Sequence, residues 1–194
     1  MIAEVQGLPA RPRPSAPAIE SEVLAMLILV VSEVMFFAGF LSGFNILRAR
    51  SAAGYWPPPE VPLLAVVPTA VVSVALLLSA VAVYLAGRDS NRRSVVRKLR
   101  VGVLLAASFV GYQVYEFVVL AREGLDMVTT AYGGFFFTIV GAHALHCVVA
   151  IAILLWSLAR VLRGELSPAM FRAVRVFWYF VVGLWPILYA QVYL

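Results

Sequence analysis

Charged side chains are scarce in this sequence: 13 % of its 194 residues are Asp, Glu, Lys or Arg, against 63 % that are hydrophobic, and the mean hydropathy is +0.95. No soluble domain of this size could hide so much apolar surface, so the composition excludes that class and predicts an integral membrane protein. Cysteine is nearly absent. The lone Cys147 excludes an internal disulfide, a two-thiolate copper centre and an iron–sulfur cluster. There is no glycine-rich phosphate-cradling loop, no internal repeat, and no run of the short alternating strands that a closed barrel needs. The first 20 residues, which include RPRPSAPAIE, lack the apolar core of a cleavable signal peptide. Residues 1–21 are therefore expected to form a poorly ordered cytoplasmic tail. The net charge of +5 does not point to nucleic acid, because the basic residues gather at the ends of apolar runs, where they anchor helices at a membrane surface.

What is present is a succession of long apolar runs. A helix crosses the hydrocarbon layer in roughly 20 residues. Runs of that kind predict an all-α, five-helix transmembrane domain over 22–194, with helices at about 22–47, 61–86, 101–121, 133–162 and 171–194. Turn-forming stretches separate them: YWPPPEVP, GRDSNRR, AREGLD and RGELSP. Pro68 and Pro186 fall inside the second and fifth runs and are expected to kink them. Twelve of the fifteen basic residues lie on one side: Arg11, Arg13, Arg88, Arg92, Arg93, Arg97, Lys98, Arg100, Arg160, Arg163, Arg172 and Arg175. The other side has Arg48, Arg50 and Arg122. This asymmetry predicts an N-terminus inside (cytoplasm or matrix) and a C-terminus outside.

Against that background, VSEVMFFAGF at 31–40 poses a question, because it sets the carboxylate of Glu33 within an apolar run. Glu116, His143 and His146 are the other ionisable residues well inside spans. Such groups are costly in hydrocarbon and face the bundle interior with a partner. Glu33 lies ~16 Å from the inner end of its helix, and the two histidines lie ~15–20 Å below the outer surface, so all three reach the middle of a ~30 Å core. His143 and His146, at i and i+3, share one helix face, and either can meet Glu33. A carboxyl at that depth needs a hydrogen-bonding partner or a proton. One reading is a buried site that holds a proton, an ion or a polar ligand. The structural alternative is that these residues hydrogen-bond neighbouring helices together. A metal centre built from Glu33, Glu116, His143 and His146 is a third, although the Glu-x-x-His pattern of di-metal bundles is missing. A bis-His haem is excluded because both imidazoles sit on one helix. The chain itself is expected to bind no redox cofactor.

The remaining features read as packing. Gly39 and Gly43 form a small-xxx-small pair, with Ser32 on the same stripe, that would let the first helix approach a neighbour closely. Phe37, Phe40 and Phe44 line the flank that carries Glu33. Gln113 and Glu116, at i and i+3, can hydrogen-bond on one face. Glu116 is placed near the outer end, close to water, and is the less informative carboxylate. Trp178 and Trp185 suit helix contacts or interfaces.

Four stretches together resemble subunit III of the haem–copper cytochrome c oxidases: SEVMFFAGF, QVYEF, YGGFFFTIVGAHALH and FWYFVVGLWPILYAQVYL, in that order along the chain. Many family members have seven helices and shorter bacterial ones lack the first two, so five spans fit the short form in a bacterial inner membrane. The resemblance implies a subunit without redox metals that packs on the catalytic subunit I, with haem and copper held by partner subunits I and II. It also implies bound phospholipid in a cleft, and support for proton uptake, oxygen access and turnover stability. Glu33 matches the family's buried helix glutamate, and His143 and His146 match its GxHxLH pair. The chain departs from the family in the last span, where Tyr179 and Val182 stand for a His and an Asp. Subunit III of a quinol oxidase and a nitric-oxide-reductase-associated homologue share the fold and stay open. So does, in another class, a small ion-binding transporter, although no inverted repeat supports it.

Overall fold

The computed structural model describes residues 20–51, 56–59, 61–62 and 64–194. Five helices follow one another: α1 Ser21–Arg50, α2 Val66–Gly87, α3 Arg92–Arg122, α4 Ala131–Arg163 and α5 Pro168–Val192. Each is long and apolar enough to cross a membrane, and no strand occurs among the described residues. The chain is a multi-pass membrane protein. The expected tail lies outside the described residues apart from Glu20 and Ser21, and Ser21 already opens α1.

Local chemistry sets the ends of these helices. Asn91, Thr130 and Ser167 cap α3, α4 and α5 by accepting from the N–H groups of Arg93, Gly133 and Met170 at 3.0, 3.0 and 3.1 Å. Pro168 follows at the first position of α5, where a missing N–H costs nothing. Gly164 ends α4 in the left-handed region at φ +76°, a conformation open to glycine without a Cβ penalty. Two helix starts differ from the hydropathy reading for physical reasons. α3 begins nine residues earlier than the apolar run, because RRSVVRKLR propagates a helix well while standing clear of hydrocarbon. α2 begins at Val66 rather than 61, which puts Pro68 in its first turn, where it does not kink the helix. α5 continues through Pro186 to Val192.

The helices close into a ring in the order α1, α4, α3, α2, α5, with α4 and α5 also touching across it. Although consecutive in sequence, α1 and α2 do not touch among the described residues. The α4–α5 contact divides the ring into a triangle, α1–α4–α5, and a quadrilateral, α2–α3–α4–α5. Only Phe37 and Phe44 of α1 are buried, whereas α5 buries nine residues, including Phe177, Trp178 and Trp185. Lipid is as apolar as leucine, so close packing and interhelical hydrogen bonds hold such a ring together.

The two ends are tied differently. At the arginine-rich end, Lys98 bonds Asp89 at 2.5 Å, Arg160 bonds Glu165 at 2.7 Å and Arg172 pairs with Glu20. Hydrogen bonds from Lys98, Ser94 and Asn91 hold the Asp89 carboxyl well below the usual carboxylate range. At the other end Asp126 accepts from the Thr129 N–H and hydroxyl and from the Val128 N–H at 2.6–2.8 Å, which lowers its pKa in turn. That rigid turn lies against the start of α4: a Cβ on Gly133 would overlap the Asp126 carbonyl oxygen. Gly133→Ala is therefore expected to destabilise the protein by about 1–3 kcal/mol, the usual range for forced overpacking. A thermal melt of the purified protein measures it, and an unchanged midpoint would mean that the turn yields freely.

Candidate functional site

The polar groups inside the spans fall into two clusters, one in each part of the ring. In the triangle, His146 of α4 meets Glu33 of α1, with Nε2 2.9 Å from Glu33 Oε2. The other ring nitrogen, Nδ1, lies 2.7 Å from the Ala142 carbonyl oxygen. A carbonyl only accepts, so Nδ1 carries a hydrogen. Neutral His146 then presents a lone pair at Nε2, and a contact of 2.9 Å to a carboxyl requires a proton between them. That proton sits either on Glu33 or on the imidazole. The contact is only partly enclosed: the Glu33 and His146 side chains are 23 % and 19 % exposed. Leu29, Leu145, Val149 and Phe177 complete an apolar recess of about 210 Å³ beside it.

His143 takes no part in this contact. It is 1 % exposed and faces into the quadrilateral, where its ring stacks on Trp185 at 5.0 Å and meets Phe109 edge-on at 6.3 Å. Its Nε2 is 3.4 Å from Cys147 Sγ, and Nδ1 has no hydrogen-bond partner among the described residues. Phe37 lies between the two imidazoles, 5.3 Å from His146 and 6.4 Å from His143. The i, i+3 spacing leaves the side chains about 60° apart around α4. That offset is enough to send them to different neighbours, which corrects the expectation of a shared face.

The second cluster centres on Glu116, which is 3 % exposed. Tyr193 Oη and Gln113 Nε2 donate to its Oε2 at 2.8 and 2.9 Å, and Thr69 Oγ1 donates to Oε1 at 3.2 Å. Gln113 Nε2 also donates to Tyr193 Oη at 2.9 Å. Sequence position put Glu116 close to water, but Thr69 of α2 and the end of α5 close over it. Further along the same seam, Trp185 Nε1 donates to Ser73 Oγ at 2.6 Å and Tyr189 Oη donates to the Val66 carbonyl at 2.9 Å. The terminal Tyr189 and Tyr193 were expected from sequence only to suit interfaces or helix contacts, and Thr69 and Ser73 were not singled out. The signal was there: Thr69, Ser73 and Ser79 form a stripe of small polar residues along one face of α2.

The four ionisable residues therefore do not converge, and no group of three His, Cys, Asp or Glu side chains placed to hold a metal ion occurs among the described residues. Gly39 faces open space and Gly43 packs on the ring edge of Phe135, so this glycine pair does not bring α1 close to another backbone of the chain. Large side chains, Phe37 and Phe44, make the contact instead. Trp178 and Trp185 are both buried, at 1 % and 0 % exposure. Tyr179 lines an apolar groove of about 420 Å³ between α1 and α5 with Val34, Leu41, Phe180 and Ile187.

The family model described as cytochrome c oxidase subunit III matches residues 17–194. A probable cytochrome c oxidase subunit 3 from Nocardia farcinica is 32 % identical over 172 residues, covering 86 % of this chain and 84 % of its own. Its counterpart from Mycobacterium bovis is 30 % identical with the same coverage. The cytochrome c oxidase subunit 3 of Loxodonta africana is 29 % identical over 191 residues, 90 % of this chain and 69 % of its own.

Proposed function

The chain belongs to the cytochrome c oxidase subunit III family, and from that premise we propose that it serves a respiratory haem–copper oxidase as a non-catalytic membrane subunit. It packs on the catalytic subunit I, beside subunit II, and those partners hold the haem and copper. The donor geometry supports this division: His146 is committed to Glu33 and Ala142, and His143 is enclosed by aromatic rings. Ile28, Val31 and Met35 of α1 are 60–71 % exposed, which leaves this side of the helix for lipid or another subunit to cover within the membrane.

The observation that carries the proposal is the Glu33–His146 contact at mid-span. A carboxyl–imidazole pair that holds one proton and borders a recess can take up and release that proton while α1 stays fastened to α4. In this way the subunit supports proton uptake and the lifetime of the catalytic centre. The groove between α1 and α5 fits a phospholipid acyl chain and offers an apolar route for oxygen. The asymmetry of the basic residues supports an N-terminus inside and a C-terminus outside.

Purification of the complex from its native membrane through a tag on this chain tests the proposal. Co-purification of a haem–copper catalytic subunit with a haem a spectrum is the expected result, and the companion subunits then distinguish a cytochrome c oxidase from a quinol oxidase. A nitric oxide reductase partner would keep the fold and move the pathway. A chain that purifies alone, without haem, overturns the proposal and favours transport.

A further inference from the structure

The arginines that open α3 are divided between two tasks. Arg92 turns toward α4, donating Nε to the Val161 carbonyl at 2.9 Å and a second guanidinium nitrogen to the Leu162 carbonyl, which satisfies the last turn of that helix. Arg93, Arg97 and Arg100 stand at i, i+4 and i+7 on an exposed face, and their side chains make no hydrogen bond or ion pair with any described residue. Three acids at this end are occupied, Asp89 by Lys98, Glu165 by Arg160 and Glu20 by Arg172, and the fourth, Glu22, is in the first turn of α1, a helix that does not touch α3. Residues 1–19 add one acid, Glu4, against Arg11 and Arg13, so that segment is not a complement for three free guanidiniums.

These arginines rim a groove of about 930 Å³ whose lower wall is apolar, formed by Val96, Val101, Leu104 and Leu162. Its position along the helix decides what it fits. α3 has 31 residues and so spans ~46 Å, well beyond the ~30 Å of hydrocarbon. The surplus is at this end: Arg93 to Arg100 occupy the headgroup level over ~10 Å, and Val101 and Leu104, 45 % and 69 % exposed, begin the hydrocarbon level. Cationic forks sit above an acyl-chain wall. We propose that this groove binds the phosphate headgroup of an anionic phospholipid, with a chain lying along Val101, Leu104 and Leu162. Planar guanidiniums suit phosphate oxygens bidentately, and basic pockets between spans at the membrane surface are the usual means of holding such lipids. The site is on the α3–α4 side of the ring, apart from the α1–α5 groove. A free phosphate would have no use for the apolar wall.

The test uses the intact complex in phosphatidylcholine nanodiscs, with and without phosphatidylglycerol, and reads bound lipid by native mass spectrometry. Phosphatidylglycerol is expected to be retained over phosphatidylcholine. Each free arginine replaced should weaken retention about fivefold, so Arg97→Gln loses about fivefold and the triple variant Arg93→Gln, Arg97→Gln, Arg100→Gln on the order of 100-fold. The triple change to lysine, which preserves charge and insertion, should fall between, because it loses only the planar fork. Arg88→Gln and Arg163→Gln, at the same end outside the groove, should leave retention unchanged. An equal loss in those two variants would reduce the effect to general surface charge. Displacement of the lipid by inorganic phosphate would make it a free-anion site, and a partner polypeptide cross-linked into the groove would make it a protein interface. Any of these three results overturns the proposal.

Discussion

Trp185→Ala is expected to cost the bundle about 3–5 kcal/mol, the usual range for emptying a buried tryptophan site. The indole is fully buried in the quadrilateral. It stacks on His143 at 5.0 Å, meets Phe109 edge-on at 4.8 Å and lies 6.1 Å from Tyr193. Its N–H bonds Ser73 across to α2 at 2.6 Å. Removing it leaves a void bordered by four helices whose backbones are fixed by their other contacts, so the space cannot collapse. Ser73 still donates to the Thr69 carbonyl, at 2.6 Å, which confines most of the penalty to lost packing. Trp185→Phe should accordingly cost much less, about 1 kcal/mol for the hydrogen bond plus a smaller void. Denaturant titration of the purified complex measures both. Equal midpoints for the wild type and Trp185→Ala would mean that α5 is held to α2 and α3 by other contacts.

Glu33→Ala and Glu33→Gln should part company. Alanine leaves His146 Nε2 without a partner and removes the one side-chain hydrogen bond between α1 and α4 among the described residues. The expected loss is about 1–2 kcal/mol, roughly 5- to 30-fold in the ratio of fastened to loosened α1. Glutamine can still donate an N–H to Nε2, so it should hold α1 in place, yet it cannot pass on a proton. If the pair serves proton uptake, the glutamine variant stays assembled while its oxidase inactivates severalfold sooner during turnover. If the pair only fastens helices, the glutamine variant keeps the wild-type turnover lifetime and alanine alone shortens it. Subunit retention after purification, measured beside the lifetime of the enzyme in steady turnover, separates the two cases.

The five spans were legible because a bilayer demands a fixed length of apolar helix, and 1.5 Å per residue converts position into depth. Depth alone brought Glu33 level with the histidines. It could not choose between them, because rotation around α4 decides that, and rotation depends on which helices flank it. Helix order was illegible for a related reason. In water an apolar stripe marks the buried face, but in lipid the outer face is apolar too: α1 exposes Ile28, Val31 and Met35 and buries Phe37. Glu116 shows a different limit. Distance along its helix says that water is near, and only the return of Tyr193 from the far end of the chain closes the site. The small polar stripe of α2 was the readable hint, because Thr69 and Ser73 have little reason to share a face except to meet other helices.

The order of the ring also sets a timetable for assembly. Of the five helices α1 is synthesised before the others, yet its neighbours are α4 and α5, the later two of the set. Glu33 and His146 are separated by 113 residues, which a ribosome adding about 5–20 residues per second needs roughly 6–23 s to cover. Through that interval α2 and α3 can pair as they emerge, while α1 waits in the bilayer with its carboxyl unattended. The arrival of α4 ends the wait, and α5 then locks both parts of the ring at once. A nascent chain arrested before α4 would leave α1 free to be taken by other membrane partners or by quality control, so biogenesis of this subunit is most vulnerable in its first helix.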